Sequence, residues 1–107
     1  MSVVYCKSAK QFQQAINSAS HKATIVDFTA TWCGPCKMIG PIFDSFSKKF
    51  LNVLFAKVDV DELKDVSSSE KVSAMPSFFV YKNGKKVDEL VGASKDGLQK
   101  LIEKYSS

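Results

Sequence analysis

The chain has 107 residues, with fifteen basic residues, all Lys, against eleven acidic ones, for a net charge of +4. That length predicts one domain over residues 1–107 with its own core, and no apolar run approaches the ~18 residues of a membrane span. Without the Arg fork the positive charge does not read as nucleic-acid recognition; lysines spread along the chain, densest at Lys82, Lys85 and Lys86, read as a solvated surface with at most a mild preference for acidic partners.

In chain order, Val3-Val4-Tyr5 predicts a short strand with no charged leader ahead of it, so the expected location is intracellular and cytosolic. Ser8 has the character of a helix N-cap with Gln11 three residues on, and Phe12, Ala15, Ile16 and Ala19 follow at helical spacing. The run 23–29 is β-branched and apolar, a buried strand with Asp27 in its middle. A long helix is predicted from near Cys33, with Ile39, Ile42, Phe43, Phe46 and Phe50 on one face and Pro41 inside it as a kink. Val53 to Val60 is a second buried strand, interrupted by Lys57. A weaker helix is expected over Leu63 to Lys71. Two strands, 77–81 and 86–91, flank Asn83-Gly84, a type I′ hairpin signal. Ser94 then caps a final helix with Leu98, Leu101, Ile102 and Tyr105 on its apolar side. The order β-α-β-α-β-α-β-β-α predicts an α/β fold: a mixed five-stranded central sheet, parallel through crossovers at first and closed by a hairpin, with helices on both faces.

The chemistry concentrates in Trp32-Cys33-Gly34-Pro35-Cys36-Lys37. Three cysteines are too few for a disulfide scaffold, and two of them, spaced C-x-x-C at a strand-to-helix junction, read as redox chemistry. A thiol at a helix N-terminus faces unpaired N–H groups and the positive end of the helix dipole, which favour thiolate. At neutral pH an ordinary thiol is only about 3% ionised, whereas one of pKa about 7 is about half ionised. Cys33, at the helix start, is therefore the predicted nucleophile, with Cys36 one turn inside. Pro35 suits the first helical turn, where its missing N–H leaves nothing unpaired. Half of a zinc site is the competing reading, but four ligands are needed and only Cys6 and His21 remain, so no metal is expected.

Asp27, central in an apolar strand, is expected to be buried with its pKa raised by desolvation, placed to accept the proton of Cys36 when that thiol attacks. Lys57, embedded in the next strand, is its expected charge partner. Met75-Pro76 before a strand reads by base rate as a turn with a trans bond. Gly92-Ala93 reads as a plain strand-to-helix turn, and Cys6 as a small buried hydrophobe.

With these residues placed, the chain closely resembles the thioredoxin family over nearly its whole length: Val26-Asp27-Phe28, the run from Ala30 to Lys37, Pro41, the run from Lys57 to Asp61, Met75-Pro76, Lys82-Asn83-Gly84 and Val91-Gly92-Ala93. The resemblance implies the thioredoxin fold, a cis bond before Pro76, and a Met75 backbone that pairs with an extended substrate. It implies an apolar docking surface from Trp32, Gly34, Pro35, Gly92 and Ala93 beside the Cys33–Cys36 couple. It also implies a protein-disulfide reductant with no bound cofactor, supplied with electrons from NADPH by a flavin-containing thioredoxin reductase and acting on disulfide-containing client proteins; oligomeric state stays open, with a monomer the default. Departures are modest. Thr29 stands where many members have Trp or Tyr, Ser77 replaces the usual Thr, and the positive charge is atypical for a family that is often acidic. Met75 and the lone Trp are closer to eukaryotic cytosolic members, the fungal ones among them.

Two rival functions stay open on sequence alone. A disulfide oxidase or isomerase would usually carry His in place of Pro35. A redox-independent binding module would dock partners through the same surface around Trp32 and Met75.

Overall fold

The computed structural model describes residues 3–107 and has nine elements: β1 (Val3–Tyr5), α1 (Ala9–Ile16), β2 (Ala23–Thr29), α2 (Gly34–Lys49), β3 (Val53–Asp59), α3 (Lys64–Ser69), β4 (Ser77–Lys82), β5 (Lys85–Val91) and α4 (Lys95–Ser106). The five strands form one sheet in the order β1-β3-β2-β4-β5. β1, β3 and β2 run parallel; β4 and β5 run antiparallel to their neighbours, as an α/β chain ending in a hairpin requires. No helix among the described residues is long and apolar enough to cross a membrane.

The local signals act as their chemistry dictates. Ser8 accepts the Gln11 N–H at 3.1 Å, and Gln11 reaches back to the Lys7 N–H, so two donors at the start of α1 are satisfied. Ser94 caps α4 in the same way, accepting the Gly97 N–H at 3.0 Å. Asn83 and Gly84 both take positive φ (53° and 80°), the I′ geometry that suits the twist of a two-residue hairpin. Gly84 favours glycine through its positive φ; a Cβ there would meet only the end of the exposed Asn17 side chain, at 2.5 Å from Oδ1.

Two helices are shorter than their spacing suggests. Ala19 lies outside α1, exposed, because Asn17 turns its amide back onto the Gln13 carbonyl at 2.8 Å and ends the helix. α3 covers Lys64–Ser69 rather than Leu63 to Lys71. Ser67 and Ser69 bond back to the Lys64 and Val66 carbonyls, and Lys71 enters the left-handed region at φ 59°. α2, by contrast, continues through Pro41 to Lys49.

Alternation along the strands separates two cores. On one side, α1 and α3 cover Val26, Phe28, Ala56, Val58, Phe79 and Tyr81. On the other, α2 and α4 cover Val3, Ile25, Phe55, Phe78 and Val80. There the Phe43 ring of α2 packs edge-on against Phe55 and tilted against Phe78, with ring centroids 5.1 and 5.7 Å away. Each such ring contributes about 1.5–3 kcal/mol by burial. This packing fixes the start of α2 over the C-terminal ends of β2 and β3.

Candidate active site

β2 ends at Thr29, and a short loop delivers Cys33 to the N-cap position of α2. Its extended backbone (φ −93°, ψ 109°) aims Sγ at the helix start, where it accepts the Cys36 N–H at 3.2 Å. Cys36 follows one turn later, and the two form a disulfide with Cα atoms 5.3 Å apart. Pro35 occupies the first turn. Both sulfur-bearing residues are nearly buried, packed with Ala30, Val60 and Met75. The same N–H and the helix dipole that now face Cys33 Sγ would favour its thiolate once the bond is reduced.

Around the disulfide the chain brings together segments far apart in sequence. The Met75-Pro76 bond is cis, as the resemblance implies and against the base rate, and the Met75 carbonyl oxygen stands 3.7 Å from Cys33 Sγ. The Gly92 N–H donates to the Pro76 carbonyl at 2.9 Å, tying the β5–α4 turn to this loop. Gly92 has φ +105°, so its place is set by conformation rather than by being a plain turn. Trp32 is 65% exposed, and its indole N–H donates to Asp61 Oδ2 at 2.8 Å. Gly34, Pro35 and Ala93 are exposed, whereas Pro76, expected with them at the substrate-binding surface, is itself buried. Cys6 is buried and reduced, its thiol pushed up by desolvation.

Asp27 is buried as expected, 1% exposed, and its Oδ1 has no hydrogen-bond partner among the described residues. Burial pushes its carboxyl up to about 7, with Lys57 pulling down and Asp44 pushing up. Lys57 is its register partner on β3. The expected contact between the two is nevertheless not the one made. The ammonium lies 3.0 Å from Asp44 Oδ1, an ion pair outside ordinary hydrogen-bond direction, because α2 passes over the strand ends and offers Asp44 to it. Desolvation alone would lower the Lys57 pKa; the contact with Asp44, and the charges of Asp44, Tyr5 and Asp27, raise it instead. Cys36, Lys57, Asp44, Tyr5, Cys6 and Gly40 all line one open cleft of about 610 Å³.

The sequence-predicted residues thus fall into two groups: the disulfide with Trp32, Pro35, Met75 and Gly92 near the surface, and Asp27 with Lys57 beneath. Asp44 and Asp61 were missed. Each acts across more than a dozen positions of chain, and no local pattern marks either. No group of three or more His, Cys, Asp or Glu side chains among the described residues is placed to hold a metal ion.

The family model described as thioredoxin matches residues 3–104. The chain is 52% identical over 97 residues to thioredoxin from Equus caballus, covering 91% of this chain and 92% of that protein. It is 52% identical over 96 residues to thioredoxin from the fungus Coprinus comatus, covering 88% and 89%. Among solved structures, Plasmodium falciparum thioredoxin superimposes with a TM-score of 0.90 at 45% identity, over 95% of this chain and 98% of that one.

Proposed function

This chain belongs to the thioredoxin family, and from that premise we propose which residues carry its chemistry and which partners supply it. It is a thiol-disulfide oxidoreductase, a protein-disulfide reductant whose redox couple is Cys33–Cys36. In the proposed cycle the Cys33 thiolate attacks one sulfur of a client disulfide, and the other client sulfur leaves as thiolate. Cys36 gives up its proton to Asp27, and its thiolate attacks Cys33 Sγ in the resulting mixed disulfide. The second client thiolate departs, two electrons have passed to the client, and Cys33–Cys36 is oxidised.

The observation that carries the assignment is the helix N-cap contact. Cys33 Sγ, not Cys36, receives a backbone N–H at the positive end of α2. Asp27 suits the base role because a carboxyl titrating near 7 is matched to a thiol proton at working pH. Lys57 tunes it by charge. Trp32, Gly34, Pro35, Met75, Gly92 and Ala93 form the docking surface. Pro76, beneath it, turns the Met75 backbone toward the sulfur, and an extended client segment pairs with that backbone.

Electrons come from NADPH through a flavin-containing thioredoxin reductase, and the protein works as a monomer in the cytosol on disulfide-containing clients. Reduction of insulin with NADPH and a thioredoxin reductase tests this reading. Cys33→Ser abolishes turnover, and Cys36→Ser accumulates the mixed disulfide. Full activity in Cys33→Ser would overturn the role assignment.

A further inference from the structure

We propose that Asp44 is a positioning residue for the dithiol: it holds the Lys57 ammonium on the α2 side of the cleft and so leaves Asp27 an unpaired buried base. The proposal rests on the reading that Asp27 takes the Cys36 proton.

Register alone would pair Asp27 with Lys57. They are direct partners on adjacent parallel strands, about 4.8 Å apart, with side chains on one face of the sheet. Lys57 is drawn aside by two groups away from Asp27, one on α2 and one on β1. Asp44 Oδ1 stands 3.0 Å from the ammonium. The Tyr5 ring lies 5.4 Å from it, within cation–π range. The consequence is visible on the other side, where Asp27 Oδ1 is left without a hydrogen-bond partner.

One cation thus stands between two carboxylates of unequal setting. The Asp44 side chain is 42% exposed, although its Oδ1 facing the ammonium is buried, whereas Asp27 is 1% exposed. Asp44 holds the cation on the α2 side by direct contact, while burial of Asp27 raises its proton affinity. Other groups lining the cleft are Cys6 and Lys7 after β1, Cys36 and Lys37 on α2, Asp59 at the end of β3, and Glu62 beyond it. None of these is in ion contact with Lys57.

The experiment follows the Asp27 carboxyl carbon by NMR titration of the reduced full chain in the wild type, Asp44→Asn, Asp44→Glu, Lys57→Met and the Asp44→Asn/Lys57→Met double variant. The pH profile of single-turnover resolution of a mixed disulfide is measured alongside. Removing the Asp44 charge and releasing the cation both favour ionised Asp27. In Asp44→Asn its midpoint therefore falls by about one pH unit, a tenfold change in proton affinity. Asp44→Glu keeps the wild-type midpoint. In the Lys57→Met background, Asp44→Asn shifts the midpoint by less than half as much.

A midpoint that stays or rises in Asp44→Asn would overturn the proposal. So would a full downward shift without Lys57, since Asp44 would then act only as a distant charge. If the midpoint falls as expected but the resolution profile does not follow it, Asp44 positions Lys57 as proposed and the proton role of Asp27 is the reading that fails.

Discussion

Two rows of residues cross the same face of the sheet two positions apart, and they are built of opposite materials. Val3, Phe55, Ile25 and Val80 lie in register in one row; Tyr5, Lys57, Asp27 and Phe78 make the next. The first row is sealed beneath α2 and α4. The second lies at the C-terminal ends of the parallel strands, where α2 begins, and its two central members are ionisable. One row contributes burial free energy; the other gives up some of it to keep an ionisable carboxyl beneath a disulfide. Ligand chemistry in open α/β sheets gathers at those strand ends because the loops and helix starts meet there.

The comparison is broken most severely by cutting into the first row. Phe55→Ala deletes a fully buried ring that packs on Phe43 and lowers stability by about 3–5 kcal/mol in urea unfolding. Insulin reduction per folded molecule should stay within about twofold of wild type. A folded variant without activity would mean that the two rows are not separable.

The second row should respond in the opposite direction. The Asp27 carboxyl starts from 3.8 in the unfolded chain and is pushed to about 7 in the folded one, so between those values the folded protein holds the extra proton. Stability therefore falls as pH rises from about 4 to about 7, and the penalty is complete above that. Asp27→Asn removes it: relative to wild type, the variant gains on the order of 3 kcal/mol between pH 4 and pH 8. Urea unfolding at the two pH values checks this, and a gap that closes with rising pH would contradict the buried-base reading.

Smaller effects sharpen the contrast from outside both rows. Ser8→Ala removes only the α1 cap and should cost about 1 kcal/mol at every pH from 4 to 8, a baseline against which the Asp27 slope can be read. Asp61→Ala should change stability by no more than about 0.5 kcal/mol. It frees the indole of Trp32, the only tryptophan, so its fluorescence should change while the Asp27 midpoint does not.

Much of the fold was legible because its signals are local. The caps at Ser8 and Ser94, the Asn83-Gly84 turn and the apolar faces of α2 and α4 each depend on residues within a few positions of one another. The misreadings were local competitions of another kind. Asn17 and the serines of α3 offered the backbone side-chain bonds that ended helices their spacing would have continued. At the site, Lys57 was correctly placed beside Asp27 in register, yet its ammonium went to Asp44, since strand pairing fixes Cα atoms and a four-carbon side chain chooses among whatever lies within reach.

The sequence by itself determined the reaction couple. Cys33 and Cys36 three residues apart at a helix start can form one short disulfide, and the N-cap position alone distinguishes the first sulfur from the second. Only the tertiary structure decided what surrounds that couple: Met75 against Cys33, Gly92 on Pro76, Trp32 on Asp61, and Lys57 turned to Asp44. The division has a physical reason. Helix and cap geometry follow from backbone dihedrals over one turn. Which loop meets which sulfur depends on the crossovers and registers of the whole sheet, and no window of sequence contains those.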